Sequence, residues 1–248
     1  MKKMITGITA LTVLSILLMG FACGGGGGGG DSSSLDLASL EGTWSGPMTH
    51  PSGEHQKFGV ALDAMGAINT YSINGSDFPE TGTVTHNYLN HFSFAFSEFY
   101  TIPAEFVVSD DASYGVMMYH AMVSVMQRGT SPLPAYAASD FAGTWSGDMF
   151  SPNDIDGIYE KAAAATLAID ETFNLAGTLD SDAIVGAVAG SNLTFGSLRL
   201  AATYLAGDWY MLLLMSPDRQ TLGGMMLPFG AETDEYDQIF ILRRSSPE

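Results

Sequence analysis

The chain has one cysteine and few basic residues. Its 248 residues include 9 Lys and Arg against 27 Asp and Glu, a formal charge of −18. Such an acidic surface repels nucleic acid, because binding to the phosphate backbone depends on basic side chains. We therefore expect no nucleic-acid partner.

Catalytic motifs and long helical patterns are also missing. The sequence has no Gly-x-Ser-x-Gly elbow, P-loop, dinucleotide fingerprint or zincin helix. All five histidines lie in the first half, at or before His120, so no Ser-His-Asp triad can form within the second half. We expect a protein that is not an enzyme and has no cofactor.

The first 30 residues have the order of an export signal. Lys2 and Lys3 precede an apolar run over 4–19 and a small-residue approach that ends at Ala22, before Cys23 and seven glycines. The run is shorter than the roughly 20 residues that a membrane span needs. This order resembles a bacterial lipoprotein signal, in which the cysteine becomes the lipid-modified N-terminus. The alternative is an ordinary secretory signal that leaves a free thiol, a liability in an oxidising envelope.

The lipoprotein resemblance implies a signal peptide over 1–22 and a lipidated tether over 23–36, so that acylated Cys23 holds the protein on a lipid bilayer. Gly24 is not the aspartate associated with inner-membrane retention, which favours the outer membrane. The glycines carry no side chains, so a flexible tether with a reach of about 15 Å is expected. Without 1–22, which contain two lysines and no acidic residue, 7 basic residues remain against 27 acidic ones, a formal charge of −20.

An internal repeat organises the rest of the chain. Residues 40–46 return as 141–147, with Trp44 and Trp145 101 positions apart, and Met117-Met118 matches Met225-Met226. Each copy ends in an apolar strand that finishes in arginine. We interpret 37–129 and 139–248 as a tandem duplication, with a Pro-containing linker over 130–138.

Within each copy the hydrophobic period is two, which predicts strands. Turn signals such as residues 63–66 separate alternating runs, and an alanine-rich stretch over 159–167 aligns with a strand of the first copy. Each copy has room for six to eight strands at the usual spacing of about 8–12 residues. We predict an all-β chain with two tandem antiparallel up-and-down barrels, since closure removes exposed sheet edges. The alternative is a β-sandwich or a single sheet.

The Gly-Thr-Trp on the first strand and the arginine on the last resemble the calycin superfamily of lipocalins and avidins. The resemblance implies lipocalin-like barrels whose tryptophans, Trp44 and Trp145, cap the closed end. It also implies that an arginine packs across each tryptophan: Arg128 in the first copy and Arg243, or its neighbour Arg244, in the second.

Aromatic residues of the first copy are the candidate ligand-binding residues. They are Phe92, Phe94, Phe96, Phe106 and Tyr114. An eight-stranded barrel either fills its interior with side chains or holds one small ligand. The alternative to a ligand site is that these aromatics simply fill the core.

Two histidines are a candidate metal site. His86 and His91 flank a predicted turn and can meet across it, and imidazole suits zinc or copper. The alternative is a pair of exposed turn histidines.

These observations lead to one main hypothesis and two alternatives. The main one is a non-catalytic, membrane-anchored envelope lipoprotein that binds or carries a small apolar ligand. The first alternative is a structural or interaction module with filled barrels and an envelope protein as its partner. The second is a metal-dependent enzyme that uses the histidines of the first copy.

Overall fold

The computed structural model describes residues 35–50, 52–96, 104–119, 122–130, 132–152, 158–205, 207–229 and 238–245. The export signal, Cys23 and the glycine tether lie outside these residues. The described part is almost entirely β-structure, with a 3-10 helix at Leu37–Leu40 and one turn of α-helix, α1, at Ala138–Phe141. No helix in these ranges is long and apolar enough to cross a membrane.

The first copy forms a closed antiparallel barrel of eight strands, in which each strand pairs with its neighbours in chain order and the first pairs with the last. The strands are β1 Gly42–Thr49, β2 His55–Leu62, β3 Ala67–Ile73, β4 Ser76–Tyr88, β5 His91–Phe96, β6 Ala104–Val108, β7 Tyr114–Tyr119 and β8 Met122–Arg128. The 3-10 helix precedes β1 and covers one end, so this end is closed.

The second copy forms a barrel of the same kind, closed by the pairing of β9 with both β10 and β16. The strands are β9 Gly143–Pro152, β10 Tyr159–Ile169, β11 Leu175–Leu179, β12 Asp182–Asn192, β13 Ser197–Tyr204, β14 Gly207–Met215, β15 Thr221–Pro228 and β16 Gln238–Arg244. The predicted pair of up-and-down barrels is confirmed, and the sandwich alternative is wrong. The alanine-rich stretch lies in β10. Alternate side chains towards the end of this strand are buried in the barrel interior, which is the pattern of a strand and not of a helix.

The same turn chemistry forms one hairpin in each copy. The Asp63 carboxylate accepts hydrogen bonds from the backbone amides two and four residues later, at 2.9 and 2.8 Å. Asp170 does the same in the second copy, at 2.8 and 2.9 Å. An aspartate that replaces the missing backbone bonds of a turn fixes the register of the flanking strands.

The structure shifts the predicted alignment of the methionine pairs by one residue. Met117 lies inside the first barrel and Met118 lies in an apolar cluster outside it. In the second copy the order is reversed: Met225 lies in the outer cluster and Met226 lies inside the barrel. Met118 therefore corresponds to Met225, because equivalent strand positions must point to the same face.

The outer cluster joins the two barrels. Its members are Val107, Val116, Met118, Val123, Val125, Phe150, Tyr159, Leu212, Leu214, Met225, Leu227, Ile239 and Ile241. At Gly223 the barrels approach so closely that a Cβ would lie 2.5 Å from a methyl carbon of Val116 and of Val125. Both barrels belong to one compact unit, Ser33–Glu248, which carries its own hydrophobic core and so meets the requirement for independent folding.

The predicted linker contributes a side chain to the second barrel. Tyr136 is buried in the interior cluster of that barrel, and its hydroxyl donates a hydrogen bond to the Met215 carbonyl at 3.1 Å. Its ring lies against Gly196, where a Cβ would come within 2.7 Å of the ring. The chain between the barrels is therefore anchored at Tyr136.

Candidate functional site

The closed end of the first barrel is built as the resemblance to lipocalins implies. Trp44 is fully buried, and its indole N–H donates to the Leu40 carbonyl of the 3-10 helix at 2.8 Å. The Arg128 guanidinium lies over the Trp44 ring, 5.3 Å from its centroid, and donates to the Ser39 carbonyl. The tryptophan and the arginine thus attach the helix to the barrel end.

In the second barrel the arginine that closes the end is Arg244. It lies 4.5 Å from the centroid of the Trp145 ring and donates to the carbonyls of Ala142, at 3.0 Å, and Asp140. Trp145 in turn donates to the Phe141 carbonyl at 2.8 Å. The prediction that Arg243 has this role is wrong. In the register of β16 and β9, Arg244 is paired with Trp145, so Arg243 points to the other face of the strand.

Arg243 and Tyr114 instead connect the two barrels. Arg243 donates to the Asp111 carboxylate at 2.6 Å and lies 5.3 Å from the centroid of the Tyr114 ring. The Tyr114 hydroxyl donates to Asp218 of the second barrel. Burial and the Asp218 carboxylate raise the pKa of Tyr114 to about 12. Tyr114 was a candidate ligand-binding residue, but it faces the second barrel and does not line the interior of the first.

The other four candidate aromatics lie inside the first barrel and fill much of it. Phe92, Phe94 and Phe106 have no exposed surface. Phe106 stands edge-on to the Trp44 ring at 5.3 Å and to the Phe94 ring at 5.1 Å. These rings form a column that rises from the closed end and leaves Phe96, 7% exposed, near the open end. These side chains therefore occupy the part of the interior in which a deeply buried ligand would lie.

A small apolar cup remains at the open end of the first barrel. The residues that line the cup are Met48, Gln56, Phe58, Tyr71, Ile73, Phe96, Met117, Tyr119 and Met122. Its volume is about 30 Å³, room for roughly one or two water molecules. Sites that enclose a drug-sized ligand usually have roughly 300–1,000 Å³. The cup can accept the end of an apolar group but not a whole ligand of that size.

A polar cavity adjoins the cup. Three cup residues, Met48, Gln56 and Met122, also line this cavity of about 390 Å³, together with Thr49, His50, Glu54 and His55. The Thr49 hydroxyl lies 2.5 Å from His55 Nδ1, and the His55 ring stacks on Phe195 of the second barrel at 5.4 Å. Burial lowers the pKa of His55, because it disfavours the charged imidazolium.

The structure does not bring His86 and His91 together. His86 stacks on Phe92 at 4.8 Å, on the interior side, and bonds to the Leu89 carbonyl at 2.9 Å. His91 follows on the outer face of β5, where Nε2 lies 2.6 Å from Glu105 and Nδ1 accepts from the backbone N–H of Tyr159. Over the described residues no group of three or more His, Cys, Asp or Glu side chains is placed to hold a metal ion.

Of the nine residues that line the cup, Phe96 alone is among the candidate ligand-binding residues predicted from the sequence. Met48 lies four positions after Trp44 on β1, so period-two alternation already places both side chains on the inner face. Tyr71 and Ile73 lie at odd spacings after the buried Ile68, so strict alternation would place them on the opposite face. A register shift between Ile68 and Thr70 brings all three to the inner face. Because of this irregularity, the alternation in the sequence does not predict that Tyr71 and Ile73 face the barrel interior.

Comparison with known proteins gives a likeness in structure but none in sequence. No family model matches the chain, and no curated protein sequence matches it. Among solved structures, a protein of unknown function of the DUF3598 family from Nostoc punctiforme PCC 73102 is similar, with 11% sequence identity and a TM-score of 0.43. The likeness covers 85% of this chain and 99% of that one.

Proposed function

We propose that the chain is a non-catalytic lipoprotein of the bacterial envelope that binds the end of a small apolar group in the cup. The observation that carries the proposal is the cup itself, a solvent-reaching opening lined by six apolar side chains, two tyrosines and one amide, Gln56. Such a lining favours apolar groups, because each Å² of apolar surface removed from water contributes about 25 cal/mol to the free energy of binding. Apart from the two tyrosine hydroxyls and the Gln56 amide the lining is apolar, which supports binding of an apolar group.

Anchoring through Cys23 is the second part of the proposal. A tethered binding domain stays close to membrane lipids, which are a source of apolar chain ends. With a formal charge of −20 after removal of the signal, the domain is repelled by anionic headgroups, so the anchor rather than the surface would hold it there.

Labelling of the full chain tests the anchor. When the chain is expressed in a Gram-negative host with radioactive palmitate, we expect label in the wild type and none in Cys23→Ser. Gly24→Ala is the control and should keep its label. Label in Cys23→Ser, or none in the wild type, would refute lipid attachment at this residue.

Binding at the cup is tested with 1-decanol, an uncharged apolar probe. We expect titration of residues 31–248 to shift the methionine methyl NMR signals of Met48, Met117 and Met122. The signal of Met65, which is 85% exposed and outside the cup, should stay in place. Ile73→Glu, which puts a charge in the cup, should abolish the shifts, whereas Val185→Glu on the second barrel should not.

The filled interiors favour a second candidate, an interaction module with solid barrels. In the second barrel Trp145, Leu167, Leu200 and Leu213 have no exposed surface. If decanol leaves all three cup methionines unshifted at saturation, the binding proposal fails and the interaction module becomes the better reading.

A further inference from the structure

The wall between the cup and the polar cavity carries two thioether sulfurs around one amide nitrogen. Gln56 Nε2 donates to Met48 Sδ at 3.2 Å and to Met122 Sδ at 3.8 Å. Because both sulfurs accept from the same nitrogen, they flank a single point. That point lies beside the cavity of about 390 Å³, from which an ion can approach.

The amide occupies a position that suits it poorly. A thioether is a weak hydrogen-bond acceptor, so the Gln56 amide gains less from two sulfurs than from carbonyl or water oxygens. Gln56 also lines the polar cavity, where its amide would meet water oxygens instead of the two sulfurs. Thioethers are soft ligands, and among first-row metals they select Cu(I) over hard cations.

We propose that Met48 and Met122 bind a monovalent soft metal ion, Cu(I), in the place that the Gln56 amide now occupies. The charge around the site favours a cation: Glu54 lines the approach, and the protein has 27 acidic residues. Burial lowers the pKa of His55 on the same approach and so disfavours a positive charge there. The inference is separate from apolar-group binding but shares three residues with it, since Met48, Gln56 and Met122 line both the cup and the cavity.

The test is Cu(I) affinity measured anaerobically in competition with bathocuproine disulfonate, with Ag(I) as a redox-inert second probe. The protein is residues 31–248, which contains no cysteine, so a thiol cannot contribute. We expect one ion per chain by native mass spectrometry. Met48→Leu and Met122→Leu should each weaken the affinity at least tenfold, because each removes one of two sulfur ligands while nearly conserving side-chain volume.

Met65→Leu is the matched control, since this methionine is 85% exposed and lies outside both cavities. It should leave the affinity unchanged. Equal loss in Met65→Leu, or Cu(I) and Ag(I) binding that survives Met48→Leu with Met122→Leu, would overturn the assignment. Ile73→Glu separates the two proposals, because it should remove decanol binding and retain the metal ion.

Discussion

Phe94→Ala is expected to lower the free energy of unfolding by about 3–5 kcal/mol and to deepen the cup. Phe94 has no exposed surface, and its ring lies 5.1 Å from Phe106 and 6.3 Å from Phe96, which lines the cup. Removing it leaves a void directly behind Phe96 that neighbouring strands can close only in part. An alkyl chain can then enter further, so 1-decanol should bind more tightly than to the wild type.

Urea unfolding and the decanol titration measure the two effects. The matched control is Leu200→Ala, since Leu200 is likewise fully buried in the second barrel, on the strand that corresponds to β5. This variant should lose about 2–5 kcal/mol and leave decanol binding at the cup unchanged. Decanol affinity that falls in Phe94→Ala, in protein still folded by circular dichroism, would contradict a cup backed by a packed aromatic column.

The second large effect is expected at the contact between the barrels. Gly223→Ala should destabilise the protein by about 1–3 kcal/mol, because its Cβ would lie 2.5 Å from methyl carbons of both Val116 and Val125. These valines are branched and fully buried in the cluster between the barrels, so neither can simply swing away. The expected result is a lower urea midpoint.

Gly190→Ala is the matched control, on a strand of the same barrel. A Cβ there meets the Arg199 guanidinium at 3.4 Å, an ordinary contact, so the urea midpoint should hardly change. Adding Val125→Ala to Gly223→Ala should recover part of the loss, as a favourable coupling in a double-mutant cycle. If Gly223→Ala and Gly190→Ala unfold at the same midpoint, the barrels do not pack through Gly223.

Much of the fold could be predicted because it depends on local patterns. Period-two alternation and turn aspartates predict the strands. The repeat predicts that both copies adopt the same fold. The capping role of Trp44 and Trp145 came from a resemblance at the start of each copy. For the arginines the pattern was insufficient: Arg243 and Arg244 are adjacent, and only the pairing of β16 with β9 decides which one faces Trp145.

The candidate site could be predicted only in part. Phe92, Phe94, Phe96 and Phe106 do face the barrel interior, as their alternation indicates. Alternation says which face a side chain is on, but not whether the rings fill that space or leave a cavity, since this depends on packed volumes. Tyr114 was misplaced for a related reason, because its partner Asp218 is 104 residues away in the chain.

The sequence by itself determined the duplication, the β-strands and the acidic charge. These follow from residue identity and from spacing along the chain. Only the tertiary structure decided that the outer faces of the two barrels pack together, that the aromatic column is solid, and that Met48 and Met122 meet at Gln56. Each of these depends on which distant strands become neighbours and on how closely their side chains pack. Neither can be predicted from a local sequence pattern, because both involve residues far apart in the chain.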